Sequence, residues 1–202
     1  MFVKIFNKIV NYKIRQNIDL ILIFSFTCGV YIYNLSPSVF GGDSGDFLSA
    51  IAVKGVPHPS GYPLYTILGL FFNSLPIRAT IAWKVGLIST ILSSLAVVFL
   101  YMIVEELTNH KSIALISSLT LAFIQPFWIY AEVTEVFALH SLFVITITYF
   151  SIRFYKTKKN KYLYTLSFLS GLSLTNNLTI LLIFPAVSIL VLATKPRMFL
   201  DF

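Results

Sequence analysis

One cysteine, Cys28, is the whole thiol content of the 202-residue chain, and it stands inside an apolar run. No intrachain disulfide and no cysteine-based metal centre can form, and the redox compartment is not readable from it. Charge is equally scarce. Asp, Glu, Lys and Arg make up 11% of the residues, against about 25% in an ordinary soluble domain. That excludes a water-soluble fold, and with 57% hydrophobic residues it excludes disorder too. Acidic groups are the rarest: eight Asp plus Glu face fifteen Lys plus Arg, for a formal charge of +7. The basic residues fall in short clusters between long apolar runs, which is the charge pattern of a multi-pass membrane protein, and no nucleic-acid partner is expected. No internal repeat, low-complexity tract or soluble domain is visible.

The apolar runs predict an all-α integral membrane protein. A helix crosses a hydrocarbon core about 30 Å thick with roughly 20 apolar residues. About six spans are expected, at residues 18–35, 85–104, 112–129, 136–152, 162–175 and 178–194. The third carries Gln125 and Pro126 near its end and the fifth carries several Ser and Thr, features tolerated when a helix packs against protein. Loop charge supports the count. With the N-terminus inside, twelve Lys and Arg lie in the cytoplasm and only Lys54, Arg78 and Lys84 outside, as the positive-inside rule requires. Residues 1–17 are expected to form an amphipathic segment on the cytoplasmic leaflet, and 195–202 a cytoplasmic tail. With no small-residue cleavage site after the first span, the N-terminus reads as an uncleaved anchor. The first external loop, 36–84, contains the apolar run Leu64–Leu75, about 18 Å long as a helix. It is too short to cross and is expected to lie in the interface. A bacterial inner membrane is favoured over the endoplasmic reticulum.

This topology gathers sequence-distant polar residues on the external face. Asp43 and Asp46 lie in the first external loop, Glu132 and Glu135 in the second, and Asn176 and Asn177 in the third. Polar groups near a membrane need partners or a wet cavity. Asp43 has a plain structural reading as the N-cap of a short helix running to Lys54, with Asp46 at N3 in a capping-box variant. His58 stands between Pro57 and Pro59 in a stiff loop, and Pro63 suits the first turn of the interfacial helix. Four carboxylates and His58 could hold a divalent cation, although their spacing is not specific to one. His140 is expected as a hydrogen-bonded interior histidine and His110 as a solvated one.

The segments GGDSGDF and HPSGYPLYTILG, followed by AWKVGLIS, FWIYAEVTEVFALHSLF and GLSLTNNLT, resemble a family of multi-pass GT-C-like glycosyltransferases of the protein O-mannosyltransferase type. The family spans bacteria and animals and includes the plexin O-mannosyltransferase. The resemblance covers about residues 40–180 and rests most on the DSG-acid and His-Pro-x-Gly-Tyr-Pro motifs. Asn177 replaces the family's usual His, and Gly86 replaces its usual Asn. Such enzymes usually have more than six spans, so this chain reads as a fragment, a truncated reading frame or the N-terminal module of a split protein.

The resemblance implies transfer of a sugar, mannose being its suggestion, from a polyprenyl-phosphate carrier to an acceptor hydroxyl on a protein or glycan. The chemistry would occur at the external or luminal face, with the bilayer holding the carrier's apolar chain. Asp43 is then the candidate general base, with Asp46 supporting it or orienting the acceptor. Lys84 is the candidate partner of the leaving phosphate. His58 and Tyr62 are candidate donor contacts, and Glu132, Glu135 and Asn176 candidate contacts to sugar hydroxyls. The competing reading is a non-enzymatic membrane subunit or a transporter half. It is disfavoured because transporters place acids near the bilayer midplane, whereas these acids lie at span ends and in loops.

Overall fold

The computed structural model describes residues 2–195, and side chains from residue 17 onward. All regular structure among the described residues is helical. The order is α1 (Phe2–Asn34), α2 (Ser44–Val53), α3 (Pro63–Asn73), α4 (Ile81–Thr108), α5 (Lys111–Phe123), α6 (Gln125–Ala131), α7 (Phe137–Thr157) and α8 (Asn160–Ser173). A 3₁₀ segment, Leu178–Ile183, then leads into α9 (Phe184–Thr194).

Among the described residues, three helices are long and apolar enough to cross a membrane: Asn17–Asn34 within α1, all of α4 and all of α7. A fourth crossing exists if α5 and α6, bent by 68° at their junction, count as one. The six expected spans are not all found at this length. The predicted fifth falls on α8, whose 14 residues reach about 21 Å. The predicted sixth spends six residues on the 3₁₀ segment and continues as an 11-residue helix. The amphipathic segment expected at 1–17 is not separate, because α1 runs through it unbroken into the first span; its side chains, and residues 196–202 of the expected tail, lie outside the described residues.

The bend between α5 and α6 has a chemical cause. Pro126 has no N–H for the Ala122 carbonyl, and its ring would clash with that carbonyl if the helix continued. Ile124 turns extended instead, at φ −68° and ψ 131°. The freed Ala122 carbonyl accepts the hydroxyl of fully buried Tyr31, on α1, at 2.8 Å.

Helix α4 is the centre of the fold. One apolar cluster joins α1, α5 and α6 to it through Ile23, Tyr31, Val97, Tyr101, Ala114 and Ala131. A second joins α2, α3, α7 and the C-terminal helices through Phe47, Tyr65, Val85, Ile88, Leu139 and Ile147. Small residues let the backbones approach, as is common between membrane helices. A Cβ on Gly86 would stand 2.8 Å from Leu35 Cδ1, so the residue that departs from the family's usual Asn is a packing position here. In the segment 36–84, α2 and α3 are short and Pro63 stands in the first turn of α3.

Candidate active site at one end of the bundle

The site begins at the N-terminus of α2. Asp43 occupies the N-cap position, yet its side chain makes no capping hydrogen bond. The exposed first amide is satisfied from far away in sequence: Asp43 N–H donates to Glu135 Oε1 at 2.9 Å. An anion at a helix N-terminus is favoured by unpaired amides and the helix dipole, and here that anion is Glu135. Asp43 is thereby left with a carboxylate that is more than half exposed, at 57%. Gly42 makes the approach possible. At φ +73° it adopts a left-handed turn, and a Cβ there would sit 2.8 Å from Glu135 Oε1.

Asp46 also departs from the capping-box expectation. Its Oδ2 accepts the His58 backbone N–H at 2.9 Å and lies 2.8 Å from His58 Nδ1. These two hydrogen bonds hold the Asp46 carboxyl below its usual range, with the backbone N–H contributing most. A carboxylate can only accept, so Nδ1 carries the proton. His58 Nε2 is then directed at the Tyr62 hydroxyl, 3.2 Å away, and at Asp43 Oδ2, 3.8 Å away. Asp46, His58, Tyr62 and Asp43 thus form one chain of polar contacts. Phe47 backs it from α2, 1% exposed, with ring centroids 5.7 Å from His58 and 5.2 Å from both Tyr62 and Tyr65. Tyr62 sits at φ 43°, a conformation costly for a bulky residue and one that accumulates at functional sites. Its hydroxyl is pushed up in pKa by burial and by the negative charges of Asp43 and Glu135.

Glu135 closes the floor. It is 3% exposed, and burial first, then the charge of Asp43, raises its carboxyl above the usual range against the opposing Asp43 N–H. Hydroxyls from α4 clamp its segment: Ser89 donates to the Glu135 carbonyl at 3.4 Å and Thr90 to the Ala131 carbonyl at 3.0 Å. Asn176 joins from the end of α8, its Nδ2 donating to the Val136 carbonyl at 3.4 Å.

Two predicted residues are not brought in. Glu132 accepts the indole N–H of Trp128, and burial raises its carboxyl against that hydrogen bond. Lys84, the candidate phosphate partner, donates to the Asn73 carbonyl at 2.7 Å at the end of α3. The four-carboxylate cation site does not form: no group of three or more His, Cys, Asp or Glu placed to hold a metal occurs among the described residues. His140 is half-buried without a side-chain hydrogen bond among them, unlike the hydrogen-bonded histidine expected, and His110 is exposed at the start of α5. Phe47, Tyr65 and Ser89 were missed as site residues. Two of them lie in the GGDSGDF and HPSGYPLY motifs, which was the available signal.

These features define a class: a helical membrane module that carries a carboxylate and histidine site in the loops at one end of its bundle. The chain matches the family described as the Protein O-mannosyl-transferase TMEM260 N-terminal domain over residues 43–199. It belongs to that family. It is 30% identical over 186 residues to "Protein O-mannosyl-transferase tmem260" of Dictyostelium discoideum, covering 84% of this chain and 23% of that protein. To "Protein O-mannosyl-transferase TMEM260" of Mus musculus it is 30% identical over 166 residues, covering 80% of this chain and 24% of that one. The chain therefore spans about a quarter of these curated relatives. No solved structure matches it.

Proposed function

We propose that this chain forms the catalytic end of a membrane glycosyltransferase that moves mannose from a polyprenyl-phosphate carrier to an acceptor hydroxyl. The observation that carries this is the Asp43 carboxylate. It stands at a helix N-terminus without capping it, exposed, beside a histidine anchored by a second carboxylate. In the reaction the acceptor oxygen forms a bond to the anomeric carbon as the bond from that carbon to the phosphate oxygen breaks. Asp43 takes the acceptor's proton, and the polyprenyl phosphate leaves. Asp46 fixes the orientation of His58, and His58 Nε2 supports Asp43 or the leaving phosphate. Lys84 has no part in this scheme, being tied to Asn73. Lipid-facing surfaces of the long helices hold the carrier, and the acceptor is a protein or glycan hydroxyl.

The topology in this reading keeps six crossings, with α8 and the 3₁₀–α9 segment as short ones packed on α7. Two contacts support the alternation: Asn176 meets Val136 at the start of α7, and Lys195 meets Asn160 at the start of α8. The site end then faces the external or luminal side, with both termini in the cytoplasm.

Asp43→Asn tests the assignment. An asparagine keeps the shape but cannot accept the proton, so transfer from polyprenyl-phosphate mannose should fall by about 10² to 10⁴ with the thermal midpoint unchanged. Wild-type transfer rates in this variant of the full-length protein would remove Asp43 as the base.

A further inference from the structure

Four buried side-chain polar atoms among the described residues lack a hydrogen-bond partner, and three of them are Tyr65 OH, Glu135 Oε2 and Asn176 Oδ1. Their residues are 0%, 3% and 1% exposed. They come from α3, from the α6–α7 connection and from the end of α8. The Tyr65 oxygen lies beside Ser89 and in the field of Glu135, and Asn176 hydrogen-bonds to the residue after Glu135. Proteins seldom leave buried polar atoms unpaired, because the desolvation penalty is then uncompensated. Three such atoms on segments that meet around Glu135 leave hydrogen-bonding capacity for a ligand.

The donor and acceptor pattern identifies that ligand's chemistry. Glu135 Oε2 and Asn176 Oδ1 accept, while the Tyr65 hydroxyl both donates and accepts. A phosphate would meet the Glu135 carboxylate and be repelled. A metal cation would find no group of three or more His, Cys, Asp or Glu placed to hold it among the described residues. A ligand hydroxyl fits all three, donating to one acceptor while receiving from Tyr65. Gly42, exposed and without a side chain, packs against Glu135 Oε1 on the Asp43 side.

We infer that Tyr65, Glu135 and Asn176 form a subsite for the hydroxyls of the transferred sugar ring, with Tyr65 a specificity residue for it. The inference rests on the glycosyl-transfer reading above and goes beyond it in naming Tyr65 and the hydroxyl-by-hydroxyl complement.

Tyr65→Phe removes one oxygen and is the direct test. The full-length protein in lipid nanodiscs is heated alone, with polyprenyl-phosphate mannose, and with the same polyprenyl phosphate lacking sugar. In the wild type the sugar-bearing probe raises the unfolding midpoint more than the bare carrier does. In Tyr65→Phe the unliganded midpoint holds or rises, as expected when an unpaired buried hydroxyl is removed, and the sugar-dependent increment disappears. The donor KM rises about tenfold, roughly one hydrogen bond's worth, with kcat little changed. Asn176→Ala loses the same increment. If Tyr65→Phe keeps the full increment and the wild-type KM, or lowers the unliganded midpoint by several degrees, the subsite is overturned and the transfer reading stands. A wild type that responds to neither probe and transfers nothing overturns that reading, and the subsite with it.

Discussion

The two ends of α4 treat their acids in opposite ways. At the Thr108 end, Asp19 is paired with Lys111, and Glu106 with Arg153 at 2.8 Å and Lys156 at 3.3 Å. Tyr162 adds its hydroxyl to Arg153 at 3.0 Å. At the Ile81 end no Lys or Arg pairs with Asp43, Asp46 or Glu135 among the described residues. Among the described residues the side chain beside Asp43 and Asp46 is His58, and Lys84 donates to a backbone carbonyl. Acids neutralised by permanent cations hold structure together. Acids left to a titratable partner and to backbone amides stay available for proton transfer, and this difference is why function is placed at one end only.

Gly42→Ala should break the contrast most severely. A side chain at φ +73° costs about 1–2 kcal/mol, and its Cβ would displace Glu135 from the α2 amide. Both the thermal midpoint and sugar transfer should fall, and an unchanged transfer rate would separate the Glu135 contact from the site. Glu106→Gln is the counterpart at the other end. It removes a partly buried ion pair and leaves Arg153 short of an anion, so it should cost on the order of 1 kcal/mol with transfer per folded molecule unchanged. A selective loss of transfer there would erase the division between the ends.

The smallest effect is a pH dependence. Glu135 is raised in the folded state, so its contribution to stability is complete below the ordinary carboxyl value of about 4.3. It is lost as pH rises through the raised value. Asp46 is lowered, so its contribution is present above about 3.9 and is lost as pH falls through the lowered value. Midpoints followed against pH should lose the alkaline-side decline in Glu135→Gln and the acid-side decline in Asp46→Asn. Parallel curves for wild type and both variants would show that neither carboxyl titrates differently on folding.

Much of the site was legible because it is local. Asp43, Asp46, His58 and Tyr62 fall within twenty residues of a loop whose Gly and Pro positions announce its turns, and the short helices α2 and α3 follow from the same punctuation. Glu135 was named as a candidate, but its grip on the Asp43 amide spans 92 positions, and no local pattern encodes it. Lys84 shows the same limit: its contact with the Asn73 carbonyl at the end of α3 is encoded by no pattern around residue 84. The span count meets a physical limit too: hydropathy measures the apolarity of a run and not the geometry of its backbone. Runs 112–129 and 178–194 are apolar, yet one is bent at Pro126 and the other starts as a 3₁₀ turn.

The sequence by itself determined that the chain is helical and membrane-bound, since 57% hydrophobic residues in long runs admit no other solvent. It also determined that the acids of the first loop sit together, because a motif fixes neighbours along the chain. Tertiary structure alone decided which acid caps α2 and which is left free. That choice depends on α4 and α7 bringing residue 135 under Gly42, an approach between segments whose separation in sequence carries no trace of it.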